Sequence, residues 1–431
     1  MLPDNARPKS LKSAFFRVLV LLLFASAAAS PGLAQTMAGH AHESDQSGSN
    51  WHLMQDGVVF FNLNHQGGPR GGTELAAQNW WMGMAERPAG GGTLQFNLMV
   101  SLEPATLGND GYRELFQVGE TLDGRPLIDR QHPHDALMQA AVVWRVPLPR
   151  AYRLTLAGAP VGEPALGPIA FMHRASAFEN PTAPLGHHTL DSTHISMGVL
   201  TAGLGRGRWM VEGSVFRGAE PDEQRWDLMD YGALDSWSVR GWYRPGRWEL
   251  QLSHGFLTDP EATDPGDVRR TTASASWTAR RHNGWTAATM AWGRNNDPGQ
   301  DFTSLLAEAT HVAGRTTIYG RAERTDRESD VLRFGIHQFV GGSKAHVPEG
   351  IGGIIAIGAF TVGAVRTIAR PSGWDLAAGA DVTAYAFASI LEPLYGDRPV
   401  SAHVFFRVRP PAPMGRMADM TMTSGMRGMN H

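Results

Sequence analysis

Two short stretches concentrate imidazole and carboxylate. QHPHD sets His132 and His134 beside Asp135, and HHTLDSTH gathers His187, His188, Asp191 and His194, with His173 and Glu179 a little upstream. Imidazole combined with carboxylate suits Cu(II), Zn or Ni. The plainer reading is that loop histidines and Asp135 cap turns and bond backbone amides. A second donor set lies beyond Pro413, where MGRMADMTMTSGMRGMNH carries Met414, Met417, Met420, Met422, Met426 and Met429 ahead of His431. Thioethers are soft, uncharged donors that favour Cu(I), and on a flexible chain they can converge on one ion. TMAGHAHE near the other end adds Met37, His40, His42 and Glu43. The chain has no cysteine, so thiolate sites and disulfides are excluded. Asp191, Ser192 and His194 also invite a hydrolase reading, but linear proximity does not make a relay and no Gly-x-Ser-x-Gly elbow accompanies them.

The elements that must carry these groups read as strands. In RWELQLSHGF, Trp248, Leu250, Leu252, His254 and Phe256 alternate with Arg247, Glu249, Gln251 and Ser253. That period of two recurs around Trp209, Trp237, Trp374 and through Val400 to Val408. Many strands place a tryptophan on the apolar side (Trp209, Trp237, Trp248, Trp285, Trp374), as rings at a headgroup boundary would sit. Short Gly-, Pro- and Arg-rich turns from Arg87, Pro147, Leu204, Arg244, Arg280, Ala313 and Ala369 alternate with longer connections. This pattern predicts an all-β protein: a transmembrane antiparallel barrel of about sixteen strands (range about 14–18), with both termini periplasmic. One strand is expected to begin near Thr189, with His194 facing the lumen. The segment from Val331 to Val340 is assigned to a long outer loop.

The N-terminus has a basic stretch, an apolar run from Val18 to Ala29 and small residues up to Ala34. That is the layout of a cleaved secretory signal. The expected organisation is a signal peptide at 1–34, a flexible Met/His-containing segment at 35–55, a barrel at 56–409 and a Met-rich tail at 410–431. A net charge of -3 with interspersed signs offers no basic stripe, which argues against nucleic acid as a partner.

The motifs NHQGGPRG from Asn64, GYRELFQVGE from Gly111, DRQHPHD from Asp129, FMHRAS from Phe171 and PLGHHTLDSTHIS from Pro184 resemble a group of Gram-negative outer-membrane β-barrel proteins. These accompany copper and heavy-metal resistance systems, and the likeness spans nearly the whole mature chain. The resemblance implies an outer-membrane location and a metal context, and it supplies no site.

A barrel of this size is wide enough to hold water. Glu212, Arg240, Arg247, Glu249, Arg294, Arg321, Glu323, Asp381 and Arg407 are expected on its inner face. The expected function is an outer-membrane channel or porin-like protein involved in copper or other heavy-metal handling, surrounded by outer-membrane lipid, with metal ions or small polar solutes as partners, Met/His-rich periplasmic ends that bind copper, and the permeant left open; Cu(I) is expected at the tail. No catalysis is required. The alternatives are a general small-solute porin with an incidental Met tail and an embedded lipid hydrolase.

Overall fold

The computed structural model describes residues 51–229, 232–261, 266–297, 300–334, 339–340, 343–344 and 353–412. The signal segment, Met37, His40, His42 and Glu43 lie outside the described residues, as do Met414, Met417, Met420, Met422, Met426, Met429 and His431.

Sixteen antiparallel strands close into one barrel. They are β1 (His52–Gln66), β2 (in two pieces, Gly72–Ala76 and Asn79–Ala89), β3 (Gly92–Val100), β4 (Leu137–Leu148), β5 (Tyr152–Gly162), β6 (Ser196–Arg206), β7 (Trp209–Phe216) and β8 (Ser236–Tyr243). The remainder are β9 (Trp248–Leu257), β10 (Val268–Arg281), β11 (Gly284–Asp297), β12 (Gln300–Ala313), β13 (Thr316–Glu328), β14 (Ile354–Ala369), β15 (Asp375–Ala386) and β16 (Val400–Arg409). Both pieces of β2 pair with β1, so they are one strand with an interruption. The seam closes where β1 meets β16, Val59 lying opposite Val408.

The polarity is inside out. Leu252 is 62% exposed, while its neighbours Gln251 and Ser253 are 4% and 2% exposed. The same inversion holds for Val239 against Ser238 and Val404 against His403. An apolar outer face over a polar interior belongs to a barrel surrounded by hydrocarbon. No helix among the described residues is long and apolar enough to cross a membrane. The short turns gather at one end. In one of them both Gly90 and Gly91 take positive φ (58° and 72°), the primed hairpin geometry that matches strand twist. Both described chain ends lie at this short-turn end, and the long connections lie at the other.

Three expectations need correction. No strand starts near Thr189: His187–Leu190 forms one helical turn, Ser192–His194 a 3-10 turn, and β6 begins only at Ser196. Local bonds displace the ladder here, with Asp191 N–H donating to His187 C=O at 2.9 Å and Ser196 Oγ–H to Thr193 C=O at 3.0 Å. Trp285 points inward and packs on Phe178, centroid to centroid 5.6 Å, in step with buried Ala287 and Ala291. Arg247 lies in an exposed turn, and Arg294 is exposed beside buried Asn295. At the rims the wall meets water, and a charge there does not need the lumen. Of the segment from Val331 to Val340, the described part begins inside a short helix, Ser329–Phe334.

The lumen is filled by the chain itself. Connections 101–136 and 163–195 fold inward and bond to the wall on several sides. Buried Arg174 reaches Glu308 of β12 (2.6 Å), Arg407 of β16 reaches Glu179 (3.0 Å), Arg321 of β13 donates to Thr182 C=O (3.0 Å), and Gly167 N–H donates to Ser253 Oγ of β9 (3.0 Å). Gly293 of β11 lets the plug sit against the wall, since a Cβ there would stand 2.5 Å from Thr189 C=O.

Candidate metal centre

The long-loop end of the plug carries the histidines singled out in the sequence. Connection 101–136 supplies Glu103, Glu120, His132, His134 and Asp135, and connection 163–195 supplies His187, His188, Asp191 and His194. The β7–β8 connection adds Glu220 and Arg225, and the β9–β10 connection adds Glu261.

Five imidazoles form a closed ring. Centroid separations are 6.5 Å from His132 to His134, 5.5 Å from His134 to His194, 5.1 Å from His194 to His187, 5.5 Å from His187 to His188, and 6.1 Å from His188 back to His132. Three of them are anchored through Nδ1: His134 to Glu103 (2.9 Å), His187 to Asp191 (2.7 Å) and His194 to the Asp191 carbonyl (2.9 Å). Such outer bonds fix a ring and leave Nε2 for a ligand. Nε2 of His194 is buried without a hydrogen bond. Phe171 covers one side, its ring 5.6 Å from His187 and 6.4 Å from His194.

Two overlapping donor sets bring one ligand atom per residue within 4.8 Å of one another: Glu120, His132 and His188, and His188, Glu220 and Glu261. His132 Nε2 stands 3.2 Å from Glu120, while His188 Nδ1 stands 3.5 Å from Glu220 and 3.8 Å from Glu261. Donors on a tetrahedral ion at about 2.1 Å lie about 3.4 Å apart. A cavity of about 10 Å³ lies among the rings, at the lower limit for one water. His188 is seated against Gly119, where a Cβ would stand 2.7 Å from the imidazole.

Charge in the loops follows from burial and neighbours. Burial, with Arg225 and the other imidazoles adding to it, holds His132 well below the usual histidine range. Burial does the same for His194, with His187 and His134 contributing, and lowers His187 against the opposing pull of Asp191. Neutral imidazoles can ligate without first losing a proton. For His188 burial is outweighed by Glu220, Glu261 and Glu120, which hold it up at about 9. Burial pushes Glu120 up to about 7 and Asp135 up to about 6, each against Arg225.

The structure thus brings His132, His134, His187, His188 and His194 together. Asp135 is beside them but is bonded to Arg225 (3.2 Å), and Asp191 is shared between His187 and Arg174 (2.6 Å). These two carboxylates orient and neutralise; they do not join the donor sets. His173 stands apart, edge-on to Trp80 at 5.0 Å, while Glu179 pairs with Arg407. Sequence reading missed Glu103, Glu120, Glu220 and Glu261, which carry no spacing signal because they come from three separate connections. Asp191, Ser192 and His194 do not assemble a relay: Ser192 Oγ accepts from Arg270 (2.8 Å), and the Asp191 carboxylate serves His187.

No protein-family model and no curated protein matches the chain. Solved structures do. An anion-selective porin from Comamonas acidovorans is 11% identical, with a TM-score of 0.50 over 84% of this chain and 100% of that one. OprB of Pseudomonas putida is 9% identical, with a TM-score of 0.52 over 84% of this chain and 94% of that one. The chain has the porin fold. Within that fold, the metal-type cluster is built on inward-folded connections rather than on the wall.

Proposed function

We propose that this protein resides in the outer membrane as a channel for a transition-metal cation, copper foremost, closed by its own loops and selective through the imidazole ring at its outer mouth. The observation that carries this reading is the closed ring of five histidines, three buried and two half-buried, merging with two carboxylate-bearing donor sets. A general small-solute porin does not need such a ring across its lumen. The Met-rich tail, at the opposite, periplasmic end on this reading, would receive Cu(I).

The test uses purified full-length protein. Cu(II) or Zn(II) is expected to bind stoichiometrically, and planar-bilayer conductance for simple salts is expected to be small and sensitive to the added metal. Large metal-indifferent conductance with no bound ion would replace this reading with the general porin. Ending the chain at Pro413 is expected to remove the tail's share of bound Cu(I) while the barrel still forms. Unchanged Cu(I) stoichiometry would rule the tail out as a site.

A further inference from the structure

The buried methionines are distributed unevenly. Residues 51–412 contain ten methionines, and eight of them pack in one cluster. Met82, Met84, Met99, Met138 and Met197 are buried there on the inner wall, joined by partly buried Met54, with Met172 and Met229 packed from the connections. No fully buried leucine belongs to this cluster, whereas the cluster around Leu115, Leu185 and Leu332 and the one around Leu166 and Leu257 are built on leucine and hold no methionine. Methionine used as gap filler would be scattered among both kinds.

The positions run along the barrel axis. Met138 and Met197 each follow the histidine ring closely, three residues after Asp135 and His194 respectively, at the long-loop ends of β4 and β6. Met99 lies near the same end of β3 and directly opposite Met82 of β2. Met84 is two residues further along the same face, and it lies directly opposite Met54, at the short-turn end of β1. Directly opposed Cβ atoms are about 5 Å apart and same-face neighbours about 6.6 Å, steps that flexible thioether arms can bridge.

Two polar groups point to a cation. Asp56 is buried, lies opposite Met82 and accepts from Gly57 N–H at 2.8 Å, which places a carboxylate on this mostly apolar face. Nδ1 of His173, next in sequence to Met172, is buried without a hydrogen bond.

We propose that these methionines form a thioether track for a soft monovalent d10 cation, Cu(I) or Ag(I), leading from beneath the histidine ring toward the short-turn end. The proposal deepens the metal-channel reading and rests on it for what delivers the ion.

The test uses the full-length chain with the six tail methionines changed to leucine, and Ag(I) as a redox-stable probe. This parent is expected to bind Ag(I) with sulfur neighbours in X-ray absorption. Adding Met82→Leu, Met84→Leu and Met99→Leu, which nearly conserve volume, is expected to weaken Ag(I) binding and Ag(I) flux into liposomes at least tenfold while Zn(II) binding is unchanged. If the triple variant fails to form the barrel, Met82→Leu alone is expected to give a smaller loss in the same direction. A parent without sulfur-bound Ag(I), or folded variants that keep full affinity and flux, would overturn the track. Absence of Zn(II) binding in a parent that still binds Ag(I) would instead remove the histidine mouth and leave the track standing.

Discussion

The histidine mouth and the methionine wall solve opposite problems of burying donors. The mouth is built on connections and holds charge: imidazoles, carboxylates and Arg225 balance one another, and three of the five rings are fixed through Nδ1 by an outer bond. The wall is built on strands and is mostly apolar, with Asp56 opposite Met82 and Glu86 two residues beyond Met84 on the same face. Donors that need neutralisation depend on several loops closing together. Donors that are neutral need only the alternation of a strand, so the two regions should respond differently to the same insult.

The largest contrast is expected from Arg174→Ala. It removes the arginine shared by the buried carboxylates of Asp191 and Glu308, leaving Asp191 with His187 and Glu308 with Arg321, a loss of up to about 3–5 kcal/mol for one partner of a buried pair. Asp191, which orients His187, then loses its other anchor, so Zn(II) binding should fall and salt conductance rise as the plug loosens, while the barrel persists. Retained Zn(II) affinity and a closed channel would show that the mouth does not depend on this anchor. Next in size, His188→Ala removes the ring common to both donor sets. Losing an outer partner alone costs about 10–100-fold in metal affinity, so isothermal titration with Zn(II) should show at least that when a ligand itself is removed. Ag(I) binding at the wall should be unchanged.

A smaller effect is expected from Gly293→Ala, which places a methyl 2.5 Å from the Thr189 carbonyl and should cost about 1–3 kcal/mol as overpacking. Hydrogen exchange should accelerate in 187–194 and remain slow in β2 and β3. Equal acceleration in both would erase the distinction between mouth and wall. The smallest effect concerns Glu114 in the plug, which burial, aided by Glu323, pushes up to about 8. A carboxyl raised on docking favours the docked plug at low pH. That advantage is complete below its usual pKa of about 4.5 and is lost as pH rises through about 8. Glu114→Gln should flatten the pH dependence of exchange in 101–136 across that window, and an unaltered profile would dismiss Glu114 as its source.

What the sequence disclosed follows from how each feature is encoded. β9, β15 and β16 alternate without interruption, so their faces were legible from residue types alone, although Arg247 and Trp374 lie just before their strands. The onset of β6 was not, because Asp191, Thr193 and Ser196 form local bonds that win over the ladder before Ser196. The five histidines were visible as two motifs, but their ring closes only when two connections meet in the lumen. Glu120, Glu220 and Glu261 each look like an ordinary loop carboxylate until that meeting. Met54, Met82, Met99, Met138 and Met197 are spread over more than a third of the barrel's chain, and each alone reads as filler; only the register of adjacent strands lines them up.

The plug is made of two stretches tethered at both ends to the wall, so it has no way to depart. On the proposed metal-channel reading, passage then proceeds by small rearrangements in place. Throughput in such a device levels off once its few stations are filled, as in a carrier, and does not climb in proportion to the outside concentration as it would through an open hole.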